Sequence, residues 1–83
     1  MVIMVIKLQS VADVDRFVKM AGTYRGDVNI RCVHNHSVTV DGKSLISVAH
    51  LNLGDDLEVN LISSDEDEIR RFEIGMRQFD GKA

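Results

Sequence analysis

Proline is absent from this 83-residue chain, and cysteine occurs once. A single cysteine excludes an intrachain disulfide and fits a reducing compartment, so a cytoplasmic location is expected. The lack of proline excludes any site motif that contains one. Positive charge is in short supply too: ten Lys and Arg face thirteen Asp and Glu, a formal charge of −3. Nucleic-acid binding needs a basic face, so that class is set aside. The opening MVIMVI lacks the basic n-region of a signal peptide and is far too short to span a bilayer. No membrane association is expected. No Ser–His–acid or Cys–His constellation stands out, so neither an enzyme nor a cofactor is expected.

What remains is a chain that is 45% hydrophobic, without linker, repeat or low-complexity tract, read as one domain over residues 1–83. Residues 1–8 are branched and apolar on both alternating faces apart from Lys7, which suggests a central strand or an edge strand covered by a partner. Val2, Met4 and Ile6 share one face of it, Ile3 and Val5 the other. A sheet with helices on one side buries only one of these sets, so a homodimer or a protein partner on the open face is expected.

Ser10 then caps a helix whose stripe is Val11, Val14, Phe17, Val18 and Ala21, closed by Gly22 as a left-handed cap. Val28, Ile30 and Cys32 alternate with polar residues as a second strand, and Val38 and Val40 do so as a third. Between them His34-Asn35-His36-Ser37 reads as a hairpin turn, with Asn35 tolerant of positive φ. The chain turns at Asp41-Gly42 and starts a short helix at Ser44. Leu45, Val48 and Ala49 are its stripe, and Asn52 and Gly54 close it. Leu57, Val59 and Leu61 mark a fourth strand. A serine cap at Ser63-Ser64 and the acids Asp65 to Glu68 open the last helix over the positive end of its dipole. Ile69, Phe72, Met76 and Phe79 form its buried stripe. The order β-α-β-β-α-β-α predicts an α+β domain: a four-stranded antiparallel sheet with three helices on one face.

That order, together with the segments YRGDVNI (24–30), DGKSL (41–45) and DEDE (65–68), resembles HPr, the small phosphocarrier of the sugar phosphotransferase system. The resemblance covers nearly the whole chain and implies an open-faced β-sandwich. It also implies a site, and here the chain departs from the pattern. The family has a histidine that carries the phosphoryl group, within His-x-Arg-Pro at the start of the first helix. Ser10 falls where the histidine belongs, Ala12 where the arginine belongs and Asp13 where the proline belongs. Phosphoryl transfer needs a nucleophilic imidazole beside groups that steady the phosphate. Asp13 brings negative charge instead, so a degenerate, non-carrying site is expected. The resemblance further implies a regulatory phosphorylation site at Ser44. It implies a docking surface at Lys43, Leu45, Ile46 and Ala49, for protein partners such as a kinase or a regulator of carbon metabolism.

Each of these has a plainer reading. Ser44 is also an ordinary helix cap, and local chemistry alone favours that role. Leu45 and Ile46 cannot both face the core of one short helix, and a single exposed apolar residue is unremarkable. His34 and His36 with Cys32 could share a strand face, but no fourth ligand is near. They are read as a solvated hairpin tip beside a buried cysteine, with no metal, and His50 as an exposed helix residue. The expected function is an HPr-like regulatory or adaptor protein. Two alternatives remain: a self-associating structural domain built on the first strand, and a phosphocarrier with its site displaced to His34, His36 or Ser10.

Overall fold

Four strands alternate with three helices in the computed structural model, which describes residues 2–51 and 53–79, with the side chains of residues 35–37 left aside. The elements are β1 (Val2–Ile6), α1 (Val11–Ala21), β2 (Asp27–Cys32), β3 (Asn35–Asp41), α2 (Leu45–Ala49), β4 (Leu57–Ile62) and α3 (Glu66–Met76). A 3-10 turn over Arg77–Phe79 follows. All strand pairs are antiparallel, in the order β1-β4-β2-β3. The helices lie on one face, which makes the open-faced sandwich expected above. β1 takes the edge and not the centre.

Alternation along the strands decides the core. Ile6, Val28, Ile30, Leu57, Val59 and Leu61 point to the helices and are buried, while Asn29, Glu58 and Asn60 point to the open face. Val14, Phe17 and Ala21 of α1 and Phe72 and Met76 of α3 close over them. Phe17 meets Phe79 edge-on with centroids 5.9 Å apart, and Tyr24 meets Phe72 in the same way at 5.7 Å.

Several local expectations are corrected by the packing. Val11 lies on the apolar stripe but is the first residue of α1, and is 78% exposed. Gly22 is right-handed, with φ −65°. The helix ends in a tight turn, where Thr23 N–H and Oγ both bond the Met20 carbonyl, so no left-handed residue is needed. The first hairpin turns at Val33-His34. Asn35 already pairs with Cys32 across a register shift, as the first residue of β3. In α3 the cap is Asp65, whose carboxylate accepts the N–H groups of Asp67 and Glu68, while Ser63 Oγ accepts from Asp65 N. A carboxylate satisfies two free donors at once, which one hydroxyl does less well. The helix α2 ends at Ala49, with His50 as its cap. Its short length lets only Val48 reach the core, and Leu45 and Ala49 stay exposed. Asn52 lies outside the described residues. Gly54, at φ 86°, supplies the left-handed turn before β4.

Candidate functional site

The two ends of α1 hold the two groups of residues singled out from the sequence. Ser10 sits at its start in extended backbone, and its Oγ accepts the Asp13 N–H at 3.2 Å. Asp13 in turn accepts the Gln9 N–H at 3.0 Å and pairs with the Arg16 guanidinium. The exchange is a capping box displaced by one residue: the Ser10 hydroxyl takes the Asp13 N–H, and the Asp13 carboxylate takes the N–H just before the cap. The Gln9 N–H first, and the Arg16 guanidinium second, hold the Asp13 carboxyl below its ordinary value. A carboxylate of the chain therefore takes up the Gln9 N–H and the Arg16 guanidinium at the start of α1. Ala12, exposed beside it, offers no polar group.

Ser44 lies at the other end. The segment before it is pinned by Gly42 N–H to the Val28 carbonyl at 2.7 Å and by Ser44 N–H to the Asp41 carbonyl at 3.1 Å. Lys43 donates its backbone N–H to Asp41 Oδ1 at 2.9 Å, and its Nζ reaches the Tyr24 carbonyl at 2.7 Å. Tyr24 follows the C-terminus of α1, so Lys43 and Ser44 sit at that end. The loop after α2 returns to the opposite end, where Gly54 N–H bonds the Leu8 carbonyl at 2.8 Å. The structure thus places Ser44 toward the C-terminal end of α1 and Ser10 at its N-terminal end. Between them α2 shows Leu45, Ile46 (74% exposed) and Ala49 to solvent, with Leu53 beyond and Val11 exposed on α1.

Ser44 Oγ accepts the Ser47 N–H at 3.4 Å, a long cap. Ser44→Ala is accordingly expected to cost toward the lower end of the about 0.5–2 kcal/mol of a helix cap. Ser44→Asp, which keeps an acceptor there, is expected to stay near native. Urea denaturation of both variants checks this.

The remaining candidates are not drawn into a site. His34 is exposed at the turn, and Cys32 packs half-buried against the core. Among the described residues no group of three or more His, Cys, Asp or Glu could hold a metal ion. The His36 side chain lies outside them. His50 Nδ1 stands 2.6 Å from the Ile46 carbonyl oxygen and serves the end of α2.

Glu68 was read from the sequence only as part of an acidic helix start, and the structure gives it a specific task. It is buried, and its carboxylate accepts the backbone N–H groups of Arg25 and Gly26. The Arg25 N–H first, then the Ser63 hydroxyl, the Gly26 N–H and the Arg71 charge, hold its carboxyl below the ordinary value against the opposing effect of burial. Glu68 falls four residues before Phe72 and eight before Met76. An acid on the apolar stripe was the available signal. Gly26 is required there as well, because a Cβ would run into the Ile62 carbonyl.

Comparison with known proteins agrees with this architecture. A family model described as "PTS HPr component phosphorylation site" (PTS-HPr) matches residues 13–73, well over half of the chain. The chain belongs to the HPr family, the phosphocarrier proteins of the phosphotransferase system. The matched span starts at Asp13 and leaves Ser10 and Ala12 outside it. Among solved structures, the chain is similar to HPr-C-His from Thermoanaerobacter tengcongensis, with a TM-score of 0.72 and 14% identity. That match covers 100% of this chain and 99% of the other. It is also similar to a phosphocarrier protein HPr from Bacillus anthracis str. Ames, with a TM-score of 0.69 and 18% identity, over 94% and 95% of the two chains. At these identities the structures speak for the fold. No curated protein is a significant sequence match. Among the described residues no helix is long and apolar enough to cross a membrane.

Proposed function

We propose that this HPr-family protein acts as a regulatory or adaptor domain related to the sugar phosphotransferase system, binding protein partners through α2 instead of carrying phosphate at α1. The observation that supports this most is the Asp13 carboxylate at the start of α1, bonded to Gln9 N–H and Arg16 three residues beyond Ser10, which falls where the family has its phosphoryl carrier. The exposed side chains of Leu45, Ile46 and Ala49 supply a surface for docking beside it. In this reading Ser44 is the regulatory position and Lys43 part of the same surface. The phosphate would add up to two negative charges at the edge of that surface.

The test uses the kinase that phosphorylates HPr on serine. Ser44 is expected to accept phosphate from it, and Leu45→Ala and Ile46→Ala are each expected to weaken binding to it about tenfold, the effect of a central apolar contact. Mass spectrometry of the protein from its native cells, under rich and poor carbon supply, provides the second readout. A Ser44 that stays unmodified in both, and is ignored by the purified kinase, leaves the serine as a helix cap and removes the mechanism.

A further inference from the structure

The outer edge of β1 is independent of the α2 surface and can be read hydrogen bond by hydrogen bond. Antiparallel ladders direct the N–H and C=O groups of alternate residues to opposite sides. The Asp56 carbonyl accepts the Val33 N–H at 3.0 Å, so the even-numbered residues at this strand face β2. Leu57, Val59 and Leu61 therefore face β1, where their partners are Ile6, Met4 and Val2. The backbone groups of Ile3 and Val5 must point away from the sheet. Lys7, next in the same alternation, agrees: its N–H bonds the Phe79 carbonyl outside the ladder. Among the described residues no backbone group pairs with Ile3 or Val5 on this edge.

Soluble proteins guard such edges with lysine, proline, bulges or a covering element. Val2–Ile6 has none of the first three: all its residues are apolar and its register with β4 is unbroken. Ile3 and Val5 also stand 48% and 53% exposed on the open face.

We infer that β1 pairs antiparallel with β1 of a second copy of this chain, about a two-fold axis at Met4, joining two sheets edge to edge. The strand is complementary to itself in this register. Ile3 of each copy lies opposite Val5 of the other, so the outward N–H and C=O groups of both residues are satisfied on both strands. On the helix side Met4 faces Met4 and Val2 faces Ile6. On the open face the β-branched pairs of Ile3 with Val5 adjoin, a favourable cross-strand combination. Sliding the copies until Val5 faces Val5 would set Ile3 against Lys7, whose N–H is already taken by Phe79. No charged side chain lies within residues 1–6 to repel a copy. So short a pairing is small beside the about 1,200–2,000 Å² of a standard interface, and a weak, concentration-dependent dimer is the expected form.

Met4→Cys in a Cys32→Ala background tests the register. Facing residues of a non-hydrogen-bonded pair have Cα atoms about 4.5 Å apart, within disulfide reach. Mild oxidation is expected to cross-link this variant. Val2→Cys in the same background should stay unlinked, since the two Val2 positions lie about 13 Å apart along the strands. Sedimentation of the native chain is expected to show a monomer–dimer equilibrium. Val5→Pro removes an outward N–H without touching the β1–β4 ladder, and should abolish the dimer with the circular dichroism spectrum retained. Val5→Lys replaces it if that variant fails to fold. A strict monomer up to millimolar concentration, equal cross-linking of the Val2 and Met4 variants, or a dimer indifferent to the Val5 change would overturn the inference.

Discussion

Incubated with phosphoenolpyruvate and the phosphotransferase enzyme that charges HPr, the protein is expected to emerge with its mass unchanged. The expectation rests on three side chains. Ser10 has no imidazole to attack with, Ala12 has no charge to steady a phosphate, and Asp13 places a carboxylate on the donors that remain. Attack by a serine hydroxyl needs an adjacent base, and among the described contacts Ser10 Oγ is engaged only with the Asp13 N–H. Ser10→His alone is expected to stay inert, because Asp13 keeps its charge: the Gln9 N–H and Arg16 hold it ionised well into mild acid. Intact mass at neutral and acid pH decides the matter. A stoichiometric, acid-labile phosphate on the native chain would place the carrier at another histidine, with His34 and His36 the first to map. It would also turn the proposed adaptor back into a carrier.

The second large effect is expected from Glu68. Its carboxylate joins the start of α3 to the backbone entering β2, and its removal leaves the Arg25 and Gly26 N–H groups without their acceptor. Glu68→Ala is expected to lower the melting temperature clearly, while Glu66→Ala and Asp67→Ala, at exposed positions of the same acidic run, leave it nearly unchanged. Glu68→Gln keeps one acceptor oxygen and should fall between. The pH dependence carries a sign. The folded carboxyl titrates below its ordinary 4.5, so the folded state binds fewer protons than the unfolded one near that pH. Its contribution is therefore complete above about pH 4.5 and is lost as pH falls through the lower, folded value. Asp13 acts in the same direction. Thermal unfolding between pH 7 and pH 3 should show the native chain losing stability at the acid end, with a flatter profile for Glu68→Gln. Identical profiles for the two proteins would show that Glu68 carries none of this linkage.

Much of the fold was legible because it rests on period and capping, which are local. The alternation of Val28 and Ile30, and of Leu57, Val59 and Leu61, gave the strands. The stripes Val14–Phe17–Ala21 and Phe72–Met76, with Ser10 and Ser44 ahead of their helices, gave α1, α3 and α2. The residues at Ser10, Ala12 and Asp13, and with them the expectation of a non-carrying site, come from residue identity alone. What local pattern does not contain is which elements become neighbours. The apolar run of β1 fits a centre or an edge equally well, and only its pairing with β4 alone makes it an edge. Periodicity put Val11, Leu45 and Ala49 on apolar stripes, but helix length and position relative to the sheet left them in solvent. Glu68 was invisible as an anchor because its partners, the N–H groups of Arg25 and Gly26, lie more than forty residues away in sequence. Sequence by itself therefore determined the elements, their order and the residues that open α1, since each is set within a few residues of chain. The exposed edge, the solvent-facing side of α2 and the Glu68 clasp were decided by tertiary structure, because each depends on contacts that only chain closure creates.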